Sequence, residues 1–171
     1  MKPILCLDFD GVIHSYSSGW KGARRIPDEP VPGALQFIVG ALDHFDVQIF
    51  SSRSNYVFGR MAMKAWLRKH LIALSEEDDS SLPDWWLDLI RDRFLDTYEP
   101  YHIISREQVD MIIKRIKWPT HKPPATLTID DRAWQFTGTW PAFSDIKAFK
   151  PWNKLPKPAR TATGERDERG I

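Results

Sequence analysis

Four short stretches of the chain carry side chains that could do chemistry together. Asp8-Phe9-Asp10-Gly11 sets two carboxylates two residues apart, just before a glycine. A carboxylate can attack phosphorus and form an acyl phosphate, which replaces one hard displacement with two easier ones. A second carboxylate two residues on can reach the leaving group as a general acid. Gly11 lets the backbone turn sharply close to a substrate. Asp130-Asp131 adds an adjacent pair of carboxylates. Such a pair is costly unless something positive neutralises it. With Asp8 it forms a hard oxygen set suited to Mg²⁺, which takes few protein carboxylates and keeps several waters. A metal there would shield an anionic nucleophile from an anionic phosphate. Ser51-Ser52-Arg53 offers hydroxyls, backbone N–H groups and a guanidinium, all able to hold phosphoryl oxygens. Lys122, ahead of the last acidic pair, can neutralise charge as it develops, with Lys114 and Lys117 as competitors. Alone, each stretch also reads as ordinary loop chemistry: a capped turn, a polar turn after a strand, a solvated lysine. Their order along the chain is what makes them a set.

These stretches need elements to position them. Ile4-Leu5-Cys6-Leu7 is a short apolar run, the pattern of a strand buried on both faces, and it stops at Asp8. His14 to Gly33 is rich in Ser, Gly and Pro and reads as a long loop. Leu35, Ile38, Leu42 and Phe45 share one helical face within Ala34 to Phe45. Phe45 to Phe50 reads as a second strand, ending at Ser51. A second helix is expected from Val57 to His70, with Phe58, Ala62, Ala65 and Trp66 on its apolar side. Ser75 to Ser81 is an acidic loop. Ser81-Leu82-Pro83-Asp84 looks like a helix start, continued by Trp86, Leu89, Ile90 and Phe94. Thr97 to Arg106 is irregular, Glu107 to Lys114 a short helix, and Ile116-Lys117-Trp118 a very short strand. Ala125 to Ile129 is a strand that ends at Asp130. A turn at Thr137-Gly138 and a helix from Phe143 to Phe149 follow, and Lys154 to Ile171 has the composition of a disordered tail. Strands alternating with helices imply an α/β fold, a doubly wound parallel sheet covered on both faces. Ligands bind beyond the carboxyl ends of such strands. Asp8 and Asp10, Ser51 to Arg53, and Asp130-Asp131 each follow an apolar run and should meet on one rim.

Composition bounds the alternatives. The 171 residues suit one domain plus a tail, with 42% hydrophobic and 12% aromatic residues to build a core. The 24 basic and 23 acidic residues leave a formal charge of +1, which argues against a protein that coats nucleic acid, though not against a local basic groove. The single cysteine, Cys6, excludes an intramolecular disulfide and reads as inert packing. No apolar run reaches the roughly 20 residues of a membrane span. Ile4 to Leu7 is too short for the core of a signal peptide. The expectation is a cytoplasmic protein with one domain over residues 1–153, a small helical insert around 75–105 and a tail over 154–171.

In these motifs the chain resembles the haloacid dehalogenase superfamily of hydrolases. Leu5-Cys6-Leu7-Asp8-Phe9-Asp10-Gly11-Val12-Ile13 matches that family's first motif and Ile49-Phe50-Ser51 its second. Lys122-Pro123 resembles the third, and Leu127-Thr128-Ile129-Asp130-Asp131 matches the fourth. The resemblance implies a Rossmann-like core and a phosphatase dependent on Mg²⁺. It implies Asp8 as nucleophile and metal ligand, and Asp10 as general acid/base with its backbone carbonyl on the metal. It further implies Ser51 on the phosphoryl group, Lys122 steadying it, and Asp130 and Asp131 on the metal. Asp10 separates the chain from the dehalogenase branch, which lacks a carboxylate there. The spacing leaves no room for a full cap domain, so the site should be open and suited to large substrates. The Ser51-Ser52-Arg53 step is similar to the phosphatase domains of polynucleotide kinases, which suggests a phosphorylated substrate such as a nucleotide or a nucleic-acid end.

Other residues are read more plainly. His14 either touches substrate or is a solvated loop histidine, and Lys21, Arg24 and Arg25 could form a flap. Trp66 and Trp86 fall on apolar helical faces, whereas Trp20, Trp134 and Trp152 are harder to place. Two competing functions remain. A receiver domain would carry its adjacent acidic pair first and its phosphorylated Asp later, the reverse of the order here. A non-catalytic phosphate- or nucleic-acid-binding protein on the same scaffold would normally lack Asp8 or Asp10.

Overall fold

The computed structural model describes residues 1–75, 106–135 and 137–155. The first apolar run is a strand, β1 (Ile4–Leu7), with Leu5, Cys6 and Leu7 at most 2% exposed. It is flanked on both sides, as a run with no polar face requires. β2 (Asp46–Ile49) lies on one side and β3 (Leu127–Ile129) on the other, all parallel, in the order β2-β1-β3. Ile4 pairs with Asp46 and Leu7 with Ile49 on one side, while Leu5 pairs with Leu127 and Leu7 with Ile129 on the other.

The chain at 116–118 runs along the outer edge of β2 but pairs through one residue only. Lys117 donates to the Val47 carbonyl at 3.0 Å and accepts from Ile49 at 2.9 Å. The next inward-facing donor would belong to Pro119, which has no N–H, so the ladder stops. The strand expected there is a single bridge.

Helix α1 (Ala34–His44) buries Leu35, Ile38, Val39, Ala41 and Leu42, the predicted stripe. Phe45 lies just past its end, in extended conformation. Helix α2 (Val57–Ser75) is longer than expected and its buried face is rotated from the predicted one. Met63, Trp66, Leu67, His70, Leu71 and Leu74 are buried, at helical spacing, whereas Phe58 is 60% exposed and Ala65 also faces solvent. Phe58 sits in the first turn, before the helix reaches the core, so it is a poor guide to the buried face. Val109 and Ile112 of α3 (Arg106–Arg115) pack into the same core, and α4 (Phe143–Ala148) buries nothing.

The described part is therefore α/β, with a small, open, all-parallel sheet and four α-helices. The expected insert, apart from Ser75 at the end of α2, and the tail beyond Leu155 lie outside the described residues. No described helix is long and apolar enough to cross a membrane. Because the chain leaves β1 toward β2 and later returns to β1's other side as β3, a crevice is expected at the carboxyl ends of β1 and β3.

Candidate functional site

Pairing continues one residue past the strands. Asp8 donates its N–H to the Ile129 carbonyl at 2.9 Å, and Phe50 donates to Leu7 at 3.0 Å. These two bonds seat Asp8 against the end of β3 and bring Ser51 alongside β1. Around them lies a cavity of about 150 Å³ lined by Cys6, Asp8, Phe50, Ser51, Ser52, Lys122, Thr128 and Asp130. Five residues singled out in the sequence thus share one small cavity. Its size suits a phosphoryl group, being below the roughly 300–1,000 Å³ of pockets that take whole ligands. Of the competing lysines, Lys117 is held 2.7 Å from Asp46 and Lys114 is exposed on α3, and neither lines the cavity.

Carboxylate oxygens of Asp8, Asp130 and Asp131 lie within 4.8 Å of one another. The Asp131 side chain is fully enclosed, and neither of its oxygens has a hydrogen-bond partner. Arg132 Nε stays 3.8 Å away. Burial pushes the Asp131 carboxyl above its ordinary pKa despite the opposing pull of Arg132. Burial likewise raises Asp8 to about 7, helped by the charges of Asp130, Asp10 and Asp131 and opposed by a hydrogen bond from the Phe9 backbone. Three clustered carboxylates, one of them with both oxygens buried and unpartnered, are a donor set that a hard divalent cation would satisfy. Asp10 is expected at the metal through its backbone carbonyl, and its side chain is not part of this cluster.

Arg53 lies elsewhere than expected. It is fully buried and does not line the cavity. Its Nε donates to both oxygens of Asp10 at 3.1 and 2.9 Å, and Nη1 donates to the carbonyls of Gly22, Ala23 and Arg25. The indole of Trp20 lies 4.7 Å from its guanidinium carbon. Local sequence aims it inward: the Ser51 side chain accepts from Arg53 N–H, Ser54 Oγ accepts from Ser51 N–H, and this reciprocal cap fixes the short 3₁₀ turn Ser52–Asn55. Arg53 is thus committed to Asp10 and to the 22–25 loop through Nε and Nη1, while its Nη2 is buried without a hydrogen-bond partner.

Asp10 is shared with His14, which is neither solvated nor at the cavity. His14 is fully buried, stacked on Phe9, with its edge against Trp66. The Asp28 N–H donates to Nε2 at 3.2 Å, which leaves Nδ1 protonated to donate to Asp10 Oδ1 at 2.9 Å. Trp66 Nε1 in turn donates to the Asp28 carbonyl. The loop from His14 to Gly33 therefore has a buried polar spine, Arg53-Asp10-His14-Asp28. Lys21, Arg24 and Arg25 do not reach the cavity. Sequence reading missed Asp28 and the role of His14 because Asp28 meets His14 and Trp66 from 14 and 38 residues away and both residues lie in an aperiodic loop. It also missed Trp152, whose Nε1 donates to the Gly11 carbonyl at 2.6 Å. Cys6 is buried and its thiol pKa is raised by that burial, as expected for inert packing. Comparison of the chain with protein-family models, with curated proteins and with solved structures returns no match.

Proposed function

We propose that the protein is a phosphomonoester hydrolase of haloacid dehalogenase type, with Asp8 as nucleophile. The observation that carries this reading is the enclosure of Asp8, Ser51, Lys122 and Asp130 around one phosphate-sized cavity, beside the three-carboxylate cluster. Asp8, Asp130 and Asp131 would hold Mg²⁺, which when bound supplies charge neutralisation for the nucleophile and the phosphoryl oxygens. Ser51 and Ser52 orient the phosphoryl group, and Lys122 offsets its charge. An Asp8 oxygen attacks phosphorus as the ester P–O bond breaks, and the departing oxygen takes a proton from Asp10. Water then attacks the acyl phosphate, gives its proton to Asp10, and releases phosphate and the Asp8 carboxylate. Proton transfer requires Asp10 to leave Arg53 and His14 by side-chain rotation, take up a proton from solvent and turn to the ester oxygen, so that it enters the first step as the carboxylic acid. Between steps those two residues hold it in place.

The substrates we favour are phosphorylated nucleotides or nucleic-acid ends. A non-catalytic phosphate- or nucleic-acid-binding protein is the second reading, and the engagement of Asp10 by Arg53 and His14 favours it. Phosphate release from an aryl phosphate and from 3′- and 5′-phosphorylated oligonucleotides separates the two. The hydrolase releases phosphate in Mg²⁺ and stops with Asp8→Asn or EDTA. Binding of the oligonucleotides without release by the folded wild type selects the second reading.

A further inference from the structure

The small cavity leaves the rest of any ester outside it. Arg132 follows Asp131 directly, with its Nε 3.8 Å from Asp131 Oδ1. The same Arg132 lines a second cavity of about 400 Å³, whose other walls are Trp134, Trp140, Pro141, Ile146 and Phe149. The rings of Trp134 and Phe149 are 6.5 Å apart and meet edge to face. The segment that supplies the far wall is tied back to the catalytic turn. Trp152 donates to the Gly11 carbonyl at 2.6 Å, and Asn153 donates to the Ser15 carbonyl at 3.3 Å. Arg132 thus joins this cavity to Asp131, and Trp152 and Asn153, just past Phe149, join its far wall to the turn that follows Asp8.

We infer that the second cavity is a subsite for a flat aromatic ring carried by the phosphate ester, stacked on Trp134 or Trp140 with Arg132 turned to the phosphate. The inference rests on the hydrolase reading for the position of the phosphate. Three aromatic side chains and a guanidinium favour a π-face over an aliphatic chain of equal size. The volume falls in the range of pockets that enclose organic groups. Trp134 and Trp140 are 50% and 84% exposed, as a stacking platform open to an incoming ring must be.

Calorimetry on the full chain carrying Asp8→Asn, in Mg²⁺, tests this with benzyl phosphate, ethyl phosphate and the 3′- and 5′-monophosphates of one nucleoside. Benzyl phosphate is expected to bind about tenfold tighter than ethyl phosphate, the size of one stacking contact. Replacing both Trp134 and Trp140 with Ala should erase that preference, and replacing both with Phe should keep it. A nucleoside monophosphate that binds tighter than benzyl phosphate identifies the ring as a nucleobase, and the reverse order identifies a smaller aryl group. Equal affinities for benzyl and ethyl phosphate, or a preference that survives both Ala substitutions, overturn the inference. Phosphate release by the wild type, followed alongside, separates the two claims. An aromatic preference without release keeps the subsite and sinks the hydrolase, and release without the preference does the reverse. Binding of none of the four ligands overturns both.

Discussion

The Asp131 carboxylate fills the space that a β-carbon on Gly11 would need, and Gly11 itself sits at φ +95°. The first acidic motif and the last are thereby fitted to each other across β1 and β3. An alanine at position 11 would take on the cost of left-handed backbone, about 1–2 kcal/mol, and would also displace Asp131. Gly11→Ala should therefore lower the melting temperature and weaken Mg²⁺ binding by about 10- to 100-fold, as loss of support around a ligand does. The Mg²⁺-dependent rise in melting temperature is the readout. A variant that keeps the full wild-type rise would show that Asp131 is not held by this contact.

Burial of Asp8 gives the metal-free protein a characteristic pH dependence. The folded carboxyl titrates near 7 against an ordinary value of 3.8, so between those values the folded state holds more protons than the unfolded one. Stability should fall as pH rises through that window, by on the order of a few kcal/mol. Asp131 shifts in the same direction and adds to the trend. Mg²⁺ needs the ionised form, so its affinity should climb with pH and level off above about 7. Thermal melts in EDTA from acid to neutral pH read the first effect, and Asp8→Asn should flatten it. A metal-free wild type that gains stability over the same range would contradict the assignment.

Arg53 is expected to act on Asp10 rather than on phosphate. Arg53→Gln leaves Asp10 buried without its cation, at a cost of about 3–5 kcal/mol. Arg53→Lys keeps the charge but loses the fork that spans Asp10 and the 22–25 carbonyls, and should recover only part of that stability. Denaturant unfolding measures the loss. An unchanged stability with a raised KM for small phosphates would return Arg53 to the substrate.

Lys122 and Lys117 should separate cleanly. Lys122→Met removes the one lysine among the described residues that lines the phosphate cavity and is expected to lower kcat/KM by about 10²–10³. Lys117→Met breaks only an exposed pair with Asp46, worth at most about 1 kcal/mol, and should leave turnover unchanged. Steady-state kinetics of the two variants decides which lysine serves the phosphate.

What the sequence revealed follows from where the signal is local. β1 announces itself as an apolar run that ends at Asp8, β2 by the alternation of Val47 and Ile49 with polar residues before Ser51, and α1 by its stripe from Leu35 to Leu42. Parallel pairing then brings Asp8, Ser51 and Asp130 to one rim, so these three cavity residues are readable from order, whereas Lys122 competes in the sequence with Lys114 and Lys117. Arg53 was not readable in this way. A guanidinium beside two serines looks like an anion site until the fold turns it inward onto Asp10, 43 residues earlier in the chain. His14 and Asp28 sit in a loop without periodicity, where pattern cannot tell a buried polar spine from solvated turns. The buried face of α2 was misjudged because the bulky Phe58 outweighed the better-spaced Met63, Leu67, Leu71 and Leu74.

The central claim is covalent catalysis by Asp8, and the most direct test is to catch the phosphoryl group on it. Protein turning over a phosphomonoester in Mg²⁺ is quenched in acid and digested, and its peptides are weighed. The account predicts one added phosphoryl group on the peptide carrying Asp8, absent after EDTA treatment and from Asp8→Asn. Sustained phosphate release with that peptide unmodified, or with the phosphoryl group on Ser51 or Cys6, would contradict it.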